Sequence, residues 1–558
     1  MVAGAGPQFG AVMGDLNIFE QRDFSGGLNL RSDQFQLADN ESPKMLNVEI
    51  DPRGGVFSRG GMTRINSTGV SGTWDPQKLY AFSGDGTAPN VMLVNSTKVY
   101  KSTGGNFTTL QYSAGNDVVA NSPHGACLAV WGDTLYIATG TASTAGGYLW
   151  KTSDTYATNI TRSGYNPDPW QTTADASQVK LPQSEHLVVH AGRMWAANVT
   201  EPPKGSPTST AVNHPNRLRY SITGTATNWD ADAYFDLLGG GSGITGMAVA
   251  NGSLIVFKPN ATYLVYGTDP SNFGVIQLSD KLGCQSHHAM ATADNGVYFY
   301  ALGRGLFFCD GNSIIDVFDN IRPIINLGRV SSSSTEGVSV SWVGGRVWLS
   351  LPYAESGSIP TDPTINFVFD PSLAAYTMFC TADNYGVIGG CDFRGLNNTE
   401  YRLMIHPTQP YVLNVDRYAE TVDVITTTNQ GFSSYYRTKW FDGGSYMQKK
   451  MFRRPDIVVK ESSSNQSINV KVWHNFDEAD TNWKRQFDIT QTANSIALWG
   501  TAIWNSSVWF VGAASSLVST GKNLGMARAV QLQFTGPTGS AWGVNSIGYK
   551  FNSRRVGG

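Results

Sequence analysis

The histidines are the first residues in this sequence whose types and spacing could support chemistry. His287 and His288 are adjacent at the expected start of a β-strand, where neighbouring side chains point to opposite faces, so both cannot face one metal ion without a bulge. His186 and His190 have the spacing of a metal site on a helix, but the Leu-Val-Val between them predicts a strand and places them two pleats apart. We therefore predict structural roles for these histidines and no metal site.

Other catalytic patterns are missing from the sequence. It has no phosphate-binding loop ending in Gly-Lys-Ser/Thr, no Gly-x-Ser-x-Gly elbow and no His-Glu-x-x-His. The repeated Ser-x-Asp-x-Gly-x-x-Trp turns of a sialidase are also absent. The acidic stretch 477–480 lacks the ligand periodicity of a calcium loop and predicts a solvated turn. We expect no enzymatic activity and no cofactor.

The cysteines do not predict a metal centre or a disulfide framework. Their number is odd, their spacing is wide, and no Cys-x-x-Cys occurs; they are Cys127, Cys284, Cys309, Cys380 and Cys391. Free thiols commonly pack as small apolar side chains, so we expect buried free cysteines. The first 16 residues lack the basic start and apolar run of a secretory leader, which predicts a soluble protein that is not exported by the usual route.

Composition predicts an all-β protein with an uneven charge distribution. The 558 residues include 61 glycines, aromatic residues make up 11%, and charged residues only 15%. Residues 430–558 carry 15 Lys and Arg against seven Asp and Glu, a balance of +8, whereas the rest of the chain carries 25 against 36, or −11. The two parts therefore differ in electrostatic character, although the net charge of −3 indicates no general affinity for nucleic acid.

The elements that position these residues are clearest in the stretch 243–325. Short runs of β-branched and aromatic residues alternate there with turns such as Asn-Gly and Asp-Asn-Gly, which is typical of hairpins. We predict two consecutive four-stranded units, with strands at 247–250, 254–258, 263–266 and 275–278, then at 288–292, 297–300, 305–309 and 314–318. Two such units in succession favour a β-propeller.

About seven blade-like units fit the interval 77–425. Their hairpins centre on 91–94, 135–139, 194–197, 254–257, 297–300, 347–351 and 402–405. The first and last units must share a sheet to close such a ring. Two Ser/Thr/Gly/Pro-rich insertions, 140–180 and 199–217, are expected to form long exposed loops on one face, where propellers usually meet their partners.

Two further regions flank this predicted propeller. Residues 1–76 predict an irregular N-terminal arm, which either forms ordinary turns or packs on a neighbouring subunit. Residues 430–558 predict a β-sandwich-like platform or docking module that holds seven of the 15 tryptophans. These tryptophans either fill a small core or anchor an interface, where Trp and Arg are favoured. The candidate residues for a subunit or partner interface are Phe24, Leu28, Trp440, Arg453, Arg454, Trp504 and Trp509.

Four segments carry a resemblance to a known family. They are FSGGLNLRSDQFQLADNESPKMLNVEIDPRGGVFSRGG (24–61), GITGMAVANGSLIVFKPNATYLVYGTDPSNFGV (243–275), NGVYFYALGRGLFFCDG (295–311) and YYRTKWFDGGSYMQKKMFRRP (435–455). In this order they resemble tail proteins of bacteriophages, most closely the tail nozzle or tail tubular proteins of short-tailed phages. Residues 1–20 and the two long insertions match least.

The resemblance implies a structural role in the virion tail, with assembly in the cytoplasm of a bacterial host. It implies a β-propeller subunit in a homohexameric ring below the portal and adaptor, with tail fibres or spikes docked nearby and contact with the host cell envelope. Genomic DNA would pass through the channel without sequence-specific binding, so we expect an acidic or neutral lumen. Two alternatives remain open: a receptor- or glycan-binding propeller at the tail tip, and a tail-tip or hub protein of a long-tailed phage.

Overall fold

The chain folds into two compact units. The computed structural model describes residues 16–33, 36–84, 89–119, 125–141, 147–160, 181–201, 211–331, 337–395, 398–415, 421–460, 466–477, 479–491, 515–519 and 522–553. Residues 60–430 form one unit, and residues 1–59 together with 431–558 form the other. We call them the propeller unit and the sandwich unit.

The propeller unit contains seven four-stranded antiparallel sheets, which we number as blades 1 to 7 along the chain. Blade 1 consists of Pro76–Phe82, Asn90–Asn95, Val99–Ser102 and Thr108–Thr109. Blade 2 consists of Cys127–Trp131, Thr134–Ala138, Gly147–Trp150 and Thr158–Asn159. Blade 3 consists of Gln183–His190, Arg193–Glu201, Val212–Ser221 and Trp229–Asp236. Blade 4 consists of Gly246–Ala250, Ser253–Lys258, Ala261–Tyr266 and Gly274–Ser279. Blade 5 consists of Met290–Ala293, Gly296–Ala301, Gly305–Cys309 and Ile314–Asp316. Blade 6 consists of Ser339–Val343, Arg346–Leu351, Ile365–Asp370 and Ala375–Phe379. Blade 7 consists of Ile388–Arg394, Glu400–Ile405, Val412–Val415 and Met62–Arg64. The predicted all-β propeller with about seven blades is confirmed.

The ring closes through a strand that precedes blade 1 in the sequence. Met62–Arg64 forms the fourth strand of blade 7, where Met62 pairs with Val415 and Arg64 with Leu413. The first and last parts of the propeller therefore share one sheet. For this reason the unit begins at residue 60, inside the segment that the sequence assigns to the N-terminal arm.

Hairpin turns and apolar contacts between blades explain why this part of the chain forms a propeller. Asn251 and Gly252 link the first two strands of blade 4 with φ of 48° and 75°, the left-handed backbone that a tight hairpin turn requires. Buried apolar side chains fill the space between neighbouring blades, as Phe82 and Met92 of blade 1 do against Leu128 and Ile137 of blade 2. Each blade thus buries its faces against the next one.

The two long insertions contain more regular structure than predicted. In the interval 140–180, residues 147–150 and 158–159 are the outer strands of blade 2. The insertion 199–217 likewise includes the end of Arg193–Glu201 and the start of Val212–Ser221, which are strands of blade 3. Residues 142–146, 161–180 and 202–210 lie outside the described residues, as does that part of the loop prediction.

The sandwich unit contains two larger sheets. The eight-stranded sheet consists of Leu16–Gln21, Val48–Ile50, Val56–Ser58, Lys450–Phe452, Asp456–Lys460, Ser515–Ser519, Gly525–Ala527 and Gly543–Ser553. The five-stranded sheet consists of Lys44–Leu46, Tyr435–Arg437, Gln466–His474, Arg485–Gln491 and Val530–Thr535. Gly27–Leu28 and Glu41–Ser42 add a short parallel pair, and Gln111–Ser113 with Asn116–Asp117 forms a small hairpin in the propeller unit.

The described part of the N-terminal arm belongs to the sandwich unit of its own chain. Lys44–Leu46 pairs with Tyr435–Arg437, and Leu16–Gln21 pairs with Gly543–Ser553. Gly54 has a φ of 103°, and a Cβ there would lie 2.7 Å from the carbonyl oxygen of Arg22. The paired glycines at 54–55 thus permit a close backbone approach within the chain.

Helical structure is short. The 3₁₀ turns His287–Ala289 and Asp319–Ile321 and the α-helix Pro323–Asn326 are the helical elements of the described residues. Within those residues, no helix has the length and apolar character needed to span a bilayer. The predicted free cysteines are confirmed, with Cys127, Cys284, Cys309 and Cys380 buried and Cys391 half-buried.

Candidate functional site

The centre of the propeller unit contains a small cavity. The first strand of each blade runs along the central channel. From blade 2 to blade 7, each first strand contacts the first strand of the next blade, and that of blade 7 contacts that of blade 1. The cavity has a volume of about 250 Å³ and is lined by first-strand residues of blades 1 to 5, together with His287 just before blade 5. Its polar lining includes Lys78, Tyr80, Cys127 and His287.

Three potential metal-ligating side chains meet beside this cavity. Cys127 begins the first strand of blade 2, His186 lies in the first strand of blade 3, and His287 precedes blade 5. One donor atom from each lies within 4.8 Å of the other two, and all three residues are buried. The Cys127 Sγ is 3.8 Å from the His287 Nε2, and the imidazole centroids of His186 and His287 are 5.4 Å apart. We call these three residues the channel cluster.

Local backbone structure places each member of the cluster. His287 lies in the 3₁₀ turn His287–Ala289, whose preceding residue Ser286 accepts a hydrogen bond at its side chain from the backbone N–H of His288. The backbone N–H of Leu187 donates to the Cys127 Sγ at 3.3 Å. This hydrogen bond connects blade 2 to blade 3 and holds Cys127 close to His186, which is adjacent to Leu187 in sequence.

Burial dominates the electrostatics of the cavity. Loss of hydration raises the pKa of the Cys127 thiol, an effect that the Leu187 backbone hydrogen bond and the Lys78 ammonium oppose. Burial raises the pKa of the Tyr80 phenol well above its usual value. Burial also lowers the pKa of the Lys78 ammonium, although the residue as a whole is only half-buried.

Tyr80 connects blade 1 to the cluster. Its hydroxyl lies 3.2 Å from the His287 Nε2, within hydrogen-bonding distance. The site therefore combines a thiol, two imidazoles and a phenol with an ammonium on the cavity wall. Such a group can exchange protons or hold a cation, whereas paired carboxylates for glycoside hydrolysis do not line this cavity in the described residues.

The residues predicted to form an interface have different positions in the sandwich unit. Phe24, Leu28 and Trp440 are buried in the core of their own chain, so they stabilise this unit and offer no exposed surface to a partner. Arg453 is half-buried and donates to the Asn552 Oδ1 at 2.8 Å, and Arg454 is exposed.

Tryptophans in the same unit favour the core interpretation where the structure describes them. Trp473 and Trp542 are buried like Trp440, although Trp483 is partly exposed. Trp504 and Trp509 lie outside the described residues.

The histidine predictions had mixed outcomes. His186 and His190 lie in a strand as predicted, and both are buried. The strand start predicted for His287 and His288 is wrong, because these residues form the 3₁₀ turn before the strand Met290–Ala293.

The acidic stretch 477–480 forms contacts with basic residues. Asp480 accepts from Lys44 at 2.8 Å and from Arg437 at 2.7 Å. Asp477 lies 3.6 Å from the Lys484 ammonium. These ion pairs give the two carboxylates a structural role in the sandwich unit.

Sequence reasoning missed the channel cluster. Its members are separated by 59 and 101 residues and form no motif. The predicted propeller could have indicated the cluster, because all three residues lie in or next to the first strand of a blade. That position brings side chains from distant parts of a sequence to one axis.

Comparison with known proteins gives similarity at the level of the fold. No family model matches the chain, and no curated protein matches it. Similar solved structures include YCF48 bound to D1 peptide, with TM-score 0.32, 8% identity, and coverage of 63% of this chain and 99% of that one. The WD40 β-propeller domain of Doa1 has TM-score 0.36, 9% identity, and coverage of 64% and 98%. A glycoside hydrolase family 43 arabinoxylan arabinofuranohydrolase from Bacillus subtilis has TM-score 0.23, 12% identity, and coverage of 94% and 99%. At these values the similarities carry nothing about activity.

Proposed function

We propose that this chain is a structural subunit of the tail nozzle of a short-tailed bacteriophage, where six copies form a ring that has no catalytic role. The observation that carries the proposal is the resemblance of four segments to that family. Segments 24–61 and 435–455 contain the paired strands Lys44–Leu46 and Tyr435–Arg437. Segments 243–275 and 295–311 cover most of blades 4 and 5. The resemblance thus involves strands that build both units.

DNA would pass through the lumen between the six copies and not through the channel of any one propeller. The cavity on the propeller axis measures about 250 Å³ and is lined by side chains such as Lys78 and Tyr80. The major groove of duplex DNA alone is about 12 Å wide, so a duplex does not fit this space. A ring of copies with heterologous contacts that close by rotation provides a wider passage.

Charge suggests which unit faces the lumen. The propeller unit carries 20 Lys and Arg against 28 Asp and Glu, a balance of −8, whereas the sandwich unit carries 20 against 15, a balance of +5. A basic lumen would bind the phosphates by counterion release and slow the DNA. We therefore assign the lumen to the propeller unit, and contact with acidic surfaces of an adaptor, fibre or spike protein to the sandwich unit.

An edge strand supplies a surface for contact between subunits. Leu16–Gln21 pairs with Gly543–Ser553, and its other edge has no strand partner among the described residues. Leu16 and Ile18 on this strand are 53% and 60% exposed. Exposed edge strands with apolar side chains are favourable sites for association, which supports a role of the arm in ring contacts.

Light scattering and native mass spectrometry of the purified full-length chain test the proposal. A closed ring has six times the 60.3 kDa mass of one chain. The same sample is then applied to a glycan array. A chain that stays monomeric at all concentrations and binds a glycan contradicts the nozzle and favours the receptor-binding alternative.

A further inference from the structure

The channel cluster combines three common transition-metal donors from three separate parts of the propeller. Cys127, His186 and His287 are contributed by blade 2, blade 3 and the turn before blade 5, and their donor atoms lie within 4.8 Å of one another. We infer that these residues bind one transition-metal ion of the zinc class on the axis of the propeller. This inference is independent of the proposed role in a phage tail.

The distances fit such an ion. Zinc lies about 2.3 Å from a thiolate sulfur and about 2.0–2.1 Å from an imidazole nitrogen, so tetrahedral ligand atoms are roughly 3.3–3.6 Å apart. The observed separation of 3.8 Å between the Cys127 Sγ and the His287 Nε2 is close to that value. The donor atoms are at most 4.8 Å apart, so the longest separation exceeds the tetrahedral value by little more than about 1 Å.

The chemistry of the donors selects the metal. Thiolate and imidazole ligands favour zinc and copper, whereas Mg²⁺ and Ca²⁺ prefer oxygen donors. Three protein ligands leave a fourth position of a tetrahedral ion open. The Tyr80 hydroxyl, 3.2 Å from the His287 Nε2, can ligate there or hydrogen-bond to a water in that position.

The groups around the cluster have opposite effects on the binding of an ion. The backbone N–H of Leu187 donates to the Cys127 Sγ at 3.3 Å, a bond that stabilises a metal-bound thiolate. The Glu185 Oε2 lies 3.9 Å from the His186 Nε2 and places a negative charge next to the ligand set. The Lys78 ammonium lines the same cavity and repels a bound cation.

A bound ion would join blades that are distant in sequence. Blades 2, 3 and 5 would share one set of metal bonds across the channel, so binding to the folded state stabilises the closed ring by mass action. The competing explanation is an ordinary buried polar cluster, in which the Cys127 thiol donates to the Leu187 carbonyl oxygen at 3.5 Å and binds no ion.

Titration with Co²⁺ distinguishes these two cases. The purified full-length chain is treated with a chelator, dialysed and titrated with Co²⁺, whose bond to a thiolate gives a near-ultraviolet charge-transfer band. We expect one Co²⁺ per chain, displacement by Zn²⁺ but not by Mg²⁺, and a rise in melting temperature on Zn²⁺ addition. The variants Cys127→Ser and His287→Gln should each weaken binding at least tenfold.

A matched control uses a second buried thiol. Cys309 lies in the third strand of blade 5, outside the cluster, so Cys309→Ser should keep the charge-transfer band and the Co²⁺ affinity. Absence of the band from the wild-type protein overturns the inference without reference to any variant. A band that persists in Cys127→Ser, or that is lost in Cys309→Ser, overturns it as well.

Discussion

A carboxylate oxygen of Asp423 accepts a hydrogen bond from the backbone N–H of Met62 at 2.9 Å. Its second oxygen accepts from the backbone N–H of Ala382 at 2.8 Å, and the residue is fully buried. Met62 begins the strand that completes blade 7, and Ala382 follows the last strand of blade 6. One buried side chain thus connects the closing strand to the preceding blade.

Removal of this carboxylate should weaken ring closure. Asp423→Ala leaves one buried and one partly buried backbone N–H group without their acceptor. Hydrogen bonds to charged groups contribute about 1.5–3 kcal/mol each. We expect a loss of about 3 kcal/mol or more in the unfolding free energy of the propeller unit, measured by denaturant titration. Asp423→Asn retains one acceptor oxygen and should lose less.

The control for this prediction is a carboxylate at the surface. Asp133 forms an exposed ion pair with Lys151 at 3.2 Å, and such pairs contribute little to stability. Asp133→Ala should therefore leave the unfolding midpoint nearly unchanged. Equal effects of Asp133→Ala and Asp423→Ala would contradict the role of Asp423 in closure.

A buried ion network in blade 3 predicts a pH-dependent effect. Glu201 accepts from the Arg219 Nε and the Arg217 Nη1, both at 2.6 Å, and Glu201 and Arg219 are nearly inaccessible. Burial favours a higher pKa of Glu201, but the hydrogen bonds from the two arginines outweigh it and hold the pKa below its ordinary value of 4.5. Because breaking a buried pair costs about 3–5 kcal/mol, we expect Glu201→Gln to lose stability of that order at pH 7.

The sign of the pH dependence follows from the depressed pKa. The contribution of Glu201 is complete above its ordinary pKa of 4.5 and is lost as the pH falls through the lower folded-state value. The difference in melting temperature between wild type and Glu201→Gln should therefore shrink below pH 4.5. Glu400→Gln, in an exposed pair with Arg394, is the control and should show little difference at any pH. A constant Glu201→Gln deficit down to pH 3 would be inconsistent with this account.

Substitution of the exposed edge strand should affect assembly but not folding. Leu16 and Ile18 are more than half exposed in the monomer, so Leu16→Asp with Ile18→Asp should leave the melting temperature nearly unchanged. If this strand contacts a neighbouring subunit, buried carboxylates at the interface should lower the hexamer fraction in light scattering at least tenfold. Ile315→Asp, at a 49% exposed site in the outer strand of blade 5, is the matched control. If the double variant assembles as the wild type does, the arm does not form the contact between subunits.

The sequence was sufficient to predict the blades because their determinants are local. Each of the seven predicted hairpins falls on the second strand of a blade, and turn residues such as Asn251 and Gly252 specify the connection between neighbouring strands. The strand position of His186 followed from this pattern.

Features that depend on distant parts of the chain could not be predicted. The pairing of Lys44–Leu46 with Tyr435–Arg437 joins strands whose local patterns contain no information about their partner, so the sequence predicts a separate arm. The sequence predicts a strand start at His287, but Ser286 caps a 3₁₀ turn there. Its approach to Cys127 results from ring closure and not from any motif.

Electron microscopy of the purified full-length chain tests the central claim most directly. Class averages should show closed rings of six copies around a lumen wide enough for duplex DNA, with the acidic propeller unit along its wall. Particles that remain single propellers at high concentration, or rings whose lumen is lined mainly by lysine and arginine, would contradict the account.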